Sequence, residues 1–273
     1  MSTPILQRIS HLTRRNWLAT TFAAAMSLSA PSPSQAAEDS RVFEMRVYVT
    51  NEGKLPALLS RFRDHTIRLF EKHGIENIGY WVPIEKNEGA DTTLIYVIAH
   101  KSREAAAGNW DTFRKDPDWL AAAKASEAGG KILAQKPEVI FMKATDYSAA
   151  IKPGAASGER VFELRTYTTP EGKLDALNSR FRDHTVGLFS RHGMSHIAYW
   201  TPTDADAGAS RKLIYVLGHA SKEAGLKSFD SFRADPEWIA AKAKSEVNGP
   251  LTLPQPEGVK SVYMKATDFS PIR

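Results

Sequence analysis

The feature that most limits what this chain can fold into is that it repeats itself. Displaced by 119 residues, Val42–Pro83 aligns with Val161–Pro202, and 27 of the 42 positions are identical. Val42-Phe-Glu-Met-Arg-Val-Tyr48 faces Val161-Phe-Glu-Leu-Arg-Thr-Tyr167, and Ser60–Thr66 recurs unchanged as Ser179–Thr185. Asp116-Pro-Asp-Trp119 matches Asp235-Pro-Glu-Trp238, after which a three-residue insertion moves Met142–Asp146 onto Met264–Asp268. Solenoid repeats run to about 20–50 residues, so this period marks two copies of one domain. They span 42–146 and 161–268, and the Pro-, Gly-, Ala- and Ser-rich stretch 147–158 between them is the expected linker.

Each copy carries the same order of signals. Val42–Thr50 alternates in polarity and is rich in β-formers, which predicts a strand. Leu55–His73 has apolar residues at 55, 58, 59, 62, 69 and 70 and ends at Gly74, an amphipathic helix with a C-terminal glycine. Ile78–Pro83 and Thr93–His100 read as a hairpin, Ser102–Arg114 and Pro117–Glu127 as helices, and Val139–Lys143 as the closing strand. Asp116 is placed to cap the last helix, with Pro117 in its first turn. The order β-α-β-β-α-β is the ferredoxin-like plan, an α+β fold with helices on one face of an antiparallel sheet. The other face also needs cover, and a second copy supplies it if the two sheets close into a barrel.

The motifs that carry this reading are Phe43-Glu-x-Arg-x-Tyr48, Gly53-Lys-Leu55, Phe62-Arg-x-His65, His73-Gly74, Tyr80-Trp81 and Asp116-Pro-x-Trp119, each found again in the second copy. In this order and spacing they resemble the NIPSNAP family of dimeric α/β-barrel proteins, over nearly all of both copies. The resemblance implies the barrel and a tendency to pair, so a homo-oligomer is a candidate state. It implies no settled activity. Related barrels include small-molecule monooxygenases and haem proteins, an analogy of fold alone.

The first 36 residues read as an address. They hold Arg8, Arg14 and Arg15, no acidic residue, a short Ala-rich apolar run, and small residues before Glu38. Thr13-Arg-Arg-Asn-Trp-Leu18 resembles the twin-arginine export signal, with Trp17 where that signal usually has Phe. An ordinary secretory signal is the alternative. Cleavage is expected after Ala36 or Ala37, leaving a periplasmic or extracellular protein with no stable membrane insertion. Without the three arginines the formal charge falls from +5 to +2. No basic cluster or recognisable module remains to suggest nucleic acid. With no cysteine, disulfides and thiolate chemistry are excluded.

Candidate chemistry gathers on the first strand and first helix of each copy. Phe43, Met45 and Val47 alternate with Glu44, Arg46 and Tyr48, and Glu163, Arg165 and Tyr167 repeat the polar set. The apolar set is expected to meet the helices, which turns the polar set toward the barrel. It would there line a cavity for an anionic or hydroxylated small molecule, or form ion pairs that seal the sheets together. His65 and His184 fall within the apolar stripe of their helix and so are expected to point at the sheet. In that position each is a candidate general base, a haem ligand or a plain core residue. Arg61 and Asp64 read as helix-face residues, and His73 and His192 as cations at the helix C-terminus. Tyr80-Trp81 and Tyr199-Trp200 place one aromatic on each sheet face. His100, at the end of its strand, is a candidate pocket rim. No cofactor is named by any motif; haem is an alternative, as is oxygenase or isomerase chemistry without one. A non-catalytic interaction module is the competing reading.

Overall fold

The computed structural model describes residues 39–151 and 160–273. The expected export signal and most of the expected linker lie outside the described residues. In the first half the elements run β1 (Val42–Val49), α1 (Leu55–Arg61), a π-helical turn (Phe62–Thr66), α2 (Ile67–Lys72), β2 (Glu76–Pro83), β3 (Thr93–His100), α3 (Arg103–Lys115), α4 (Pro117–Ser126) and β4 (Glu138–Ala144). The second half repeats them as β5 (Val161–Thr168), α5 (Leu174–Arg180), a π turn (Phe181–Thr185), α6 (Val186–Arg191), β6 (Ser195–Pro202), β7 (Lys212–His219), α7 (Lys222–Ala234), α8 (Pro236–Ser245) and β8 (Val259–Ala266).

The eight strands close into one antiparallel barrel in the order β1-β3-β2-β8-β5-β7-β6-β4. Each half contributes four neighbouring strands. Two short seams join the halves: Trp81–Pro83 pairs with Ala266–Met264, and Met142–Ala144 pairs with Pro202–Trp200. The tail after each half crosses to the other. Ser148 Oγ accepts the backbone N–H of Tyr199, and Ser270 Oγ accepts that of Tyr80. Ile151 and Ile272 follow and are buried among the lumen side chains.

An eight-stranded barrel has an interior just wide enough to be filled by side chains. Here the filling is apolar: Phe43, Met45, Trp81, Val97 and Met142 from the first half meet Phe162, Leu164, Trp200, Val216 and Met264 from the second. Trp81 contacts Phe162, and Phe43 contacts Trp200, each at 5.8 Å between ring centres. The outer face of each half-sheet is covered by its helices over a second apolar layer. Both faces of β1 are therefore buried. Caps fall where expected: Asp116 accepts the N–H of Asp118 at the start of α4, and Gly74 takes a φ of +74° after α2.

Candidate functional site

The alternation of β1 holds, but its orientation is the reverse of the expected one. Phe43 and Met45 point into the barrel, and Glu44, Arg46 and Tyr48 point outward beneath the helices. The same is true of Glu163, Arg165 and Tyr167. The reason is chemical: a buried carboxylate needs donors, and these come from the helix side. Glu44 is fully buried. Its Oε1 accepts Nε of Arg46 at 2.6 Å. Its Oε2 accepts the indole N–H of Trp110 at 2.7 Å and contacts Nε2 of His100 at 3.0 Å. Asn109 Nδ2 lies 3.3 Å from His100 Nδ1, which fits an imidazole carrying its proton on Nε2. Residues from β1, β3 and α3 thus converge on one carboxylate.

Burial alone pushes the Glu44 carboxyl up. The hydrogen bond from His100, the charge of Arg46 and the bond from Trp110 outweigh burial and hold it below its ordinary value of 4.5. Glu163 is lowered for the same balance of reasons, with Ser261 in place of the tryptophan. A depressed folded-state pKa stabilises above the unfolded value and is lost as pH falls through the folded one. Stability is therefore expected to be level from neutral pH to about 5 and to fall below about 4.5. Urea melts at pH 7, 5 and 3.5 check this, and a midpoint unchanged at pH 3.5 would contradict it.

His65 and His184 do not face the sheet; both are exposed. The π turn explains the error. Ile67 N–H bonds back five residues to the carbonyl of Phe62, so the turn holds one residue more than an α-helical one. Thr66 consequently takes the buried place that α-helical spacing assigns to His65, and its hydroxyl bonds the Arg61 carbonyl. Arg61, expected on the helix surface, is buried instead, with its Nε unpaired among the described residues and its guanidinium 5.2 Å from the Trp119 ring centre. His73 and His192 lie past the last turn as expected, and each bonds the capping aspartate, Asp116 or Asp235.

The aromatic pairs divide cleanly. Trp81 and Trp200 fill the lumen, whereas Tyr80 and Tyr199 sit under the helices. Tyr80 donates to Asn77 Oδ1, and Tyr199 contacts His196 Nδ1 at 2.6 Å, so the Asn77/His196 difference preserves an acceptor. Trp119 packs at a tilt against Phe113, with 4.6 Å between ring centres.

A pocket of about 220 Å³ opens beside Arg46 in the first half. Phe62, Phe70, Trp110, Phe113 and Trp119 wall it, and Arg46, Tyr48, Thr66 and Arg114 supply its polar edge. Nε and Nη1 of Arg46 are engaged by Glu44 and Tyr48, leaving Nη2 without a protein partner among the described residues. Of the two arginines at the pocket edge, Arg46 is paired with Glu44, and Arg114 has no ion-pair partner among the described residues.

The second half is differently saturated. Arg165 spends Nε on Tyr215, Nη1 on Glu163 and Nη2 on Tyr167. Phe229 stands where the first half has Trp110, and Arg233, the counterpart of Arg114, is held by Asp230 at 2.6 Å. Among the described residues no group of three or more His, Asp or Glu side chains is placed to hold a metal ion, and no helix is long and apolar enough to cross a membrane.

The family model for NIPSNAP matches residues 43–149 and again 162–271. The chain belongs to the NIPSNAP family. No curated protein matches it. Among solved structures, this NIPSNAP protein is similar to a candidate monooxygenase from Fusobacterium nucleatum (11% identity, 83% of this chain and 92% of that one, TM-score 0.53). It is also similar to an anthrone oxidase-like protein (12% identity, 86% and 95%, TM-score 0.51). A NIPSNAP family protein of unknown function from Agrobacterium tumefaciens matches 40% of this chain over 92% of its own length, at 22% identity and TM-score 0.34. At these identities the first two likenesses show the barrel fold alone.

Proposed function

We propose that this NIPSNAP protein is exported and binds a small carboxylate with a flat apolar body, held between the sheet and the helices of its first half. The observation that carries the reading is the 220 Å³ pocket, where an aromatic cage meets Arg46 Nη2 and Arg114, neither of which has a hydrogen-bonding or ion-pair partner among the described residues. Ligand pockets of this kind are largely apolar with a few convergent polar groups. This one is below the usual range of about 300–1,000 Å³, which favours a single-ring acid over a larger ligand. The site lies outside the barrel lumen, where the polar set was first expected.

Titration of the mature protein with benzoate tests the reading. Saturable one-to-one binding is expected, weakened about fivefold in Arg114→Ala, the scale of a solvent-exposed ion pair. Heat signals that never saturate, or that ignore Arg114→Ala, would count against it. Native mass spectrometry of protein purified from its own compartment should show the natural ligand as a retained mass.

The competing reading, a module whose polar residues only hold sheet to helices, draws support from the second half, where the equivalent arginine is fully engaged. Haem or base chemistry through His65 and His184 has lost its footing, because both side chains are on the outer surface.

Export rests on Arg14-Arg15 and the apolar run that follows. The mature protein is expected to begin at Ala37, and Arg14→Lys/Arg15→Lys should retain the uncut precursor in the cytoplasm. Intact mass of the fractionated protein reads both outcomes.

A further inference from the structure

The two seams of the barrel carry equivalent grooves whose chemistry has diverged. One groove, of about 580 Å³, runs between α1 and the β2–β8 seam. Leu55, Leu59, Val82 and Ile84 wall it, with Lys265 and Thr267 at its edge. Its counterpart at the β4–β6 seam, about 370 Å³, has Asn178 where the first has Leu59 and Thr201 where it has Val82. Asp175, which lines this second groove, replaces Pro56. The backbone frame is shared, so the difference lies in the side chains.

Two further observations point to a ligand in the apolar groove. Thr267 is nine-tenths buried, yet its hydroxyl has no partner among the described residues; the equivalent Thr145 hydroxyl donates to the Tyr199 carbonyl. A buried hydroxyl without a protein partner is costly and calls for water or a bound group to satisfy it. The charge balance agrees. Asp268 is neutralised by both arms of Arg63, at 2.7 and 2.8 Å, whereas exposed Lys265 forms no ion pair among the described residues. The groove therefore offers an apolar floor, one free cation and one unspent hydroxyl.

We propose that this groove binds a carboxylate with an unbranched apolar tail, of the medium-chain fatty acid class. The tail lies along Leu55, Leu59, Val82 and Ile84, and the carboxylate sits at Lys265, where rotation of the Thr267 side chain brings its hydroxyl round to donate to it. The volume falls within the range of small-molecule sites, about 300–1,000 Å³. The site is separate from the Arg46 pocket and does not depend on it.

Calorimetric titration of the mature chain with decanoate, below its micelle concentration, tests the proposal. One site per chain is expected, with octanoate about tenfold weaker because two methylenes leave the groove. Leu59→Asn/Val82→Thr/Phe269→Tyr should weaken decanoate at least tenfold while leaving the melting temperature nearly unchanged, since the second half already carries Asn178, Thr201 and Tyr147 in the same frame, with the Tyr147 hydroxyl donating to Asn178 Oδ1. Lys265→Gln should weaken decanoate several-fold and leave decanol unaffected. Arg114→Ala, in the other pocket, should change nothing. The proposal is overturned by non-saturable heats, by binding indifferent to Leu59→Asn/Val82→Thr/Phe269→Tyr, or by binding lost in Arg114→Ala. Association with anionic phosphatidylglycerol vesicles, or self-association of the chain, in place of decanoate binding overturns it equally.

Discussion

Glu44→Leu is expected to lower the free energy of unfolding by about 3–5 kcal/mol, the usual cost of removing one partner from a buried ion pair. Three donors lose their acceptor at once: Arg46 Nε, the Trp110 indole and His100 Nε2. The guanidinium stays beneath the helices with only Tyr48 to receive it. For a chain of this size the loss corresponds to a drop in Tm on the order of 10 °C. The pair itself contributes little net stability, because desolvating two ions offsets most of their attraction. Glu44→Leu/Arg46→Met should accordingly recover most of what Glu44→Leu loses. Trp110→Phe, which copies the second half, removes a single donor and should cost about 1 kcal/mol. Chemical denaturation of the three variants reads all of this. A Glu44→Leu midpoint within experimental error of the parent would show that the carboxylate does not hold the sheet to its helices.

The fold was legible because the chain states it twice. Strand alternation, the Asp116-Pro117 cap and Gly74 each have a local physical cause, and their recurrence after 119 residues leaves few other readings. The site was legible only in its membership. Glu44, Arg46 and Tyr48 do act together, but a strand buried on both faces gives no sign of which face meets the helices. Alternation separates two sets of side chains and is silent on which set turns inward.

His65 failed for another reason. The π turn adds a residue without altering local composition, so counting by threes and fours assigns the buried place to the wrong neighbour. The partners of Glu44 were the hardest to see. His100 and Trp110 lie 56 and 66 residues away in sequence, and only the sheet register and the packing of α3 bring them together. A signal did exist in the Trp110/Phe229 difference between copies otherwise so alike. The divergence of Leu59 and Val82 from Asn178 and Thr201 was equally open to inspection. It acquires meaning only once the seams place those residues in matching grooves.

Residues 39–151 produced as a separate polypeptide are expected to form a homodimer rather than a folded monomer. In the intact chain the outer edges of β2 and β4 are paired only by β8 and β6 of the other half. Cut apart, each edge exposes a row of unpaired N–H and C=O groups, and the lumen face bares Phe43, Met45, Trp81, Val97 and Met142. A second copy can cover both. Ala144, Lys143 and Met142 correspond to Ala266, Lys265 and Met264, the residues that pair with Trp81, Val82 and Pro83 across the seam. The contact of Trp81 with Phe162 would become one with the partner's Phe43, and the Ser148 strap to Tyr199 would become one to Tyr80. Sedimentation equilibrium should give a dimer at micromolar concentration, and Trp81→Ala should shift it towards unfolded or aggregated chain. Truncating a buried tryptophan costs about 3–5 kcal/mol per chain, and the dimer contains two. A monomer with intact near-ultraviolet circular dichroism would mean that each half is stable without the barrel, and that tandem fusion serves something other than closing it.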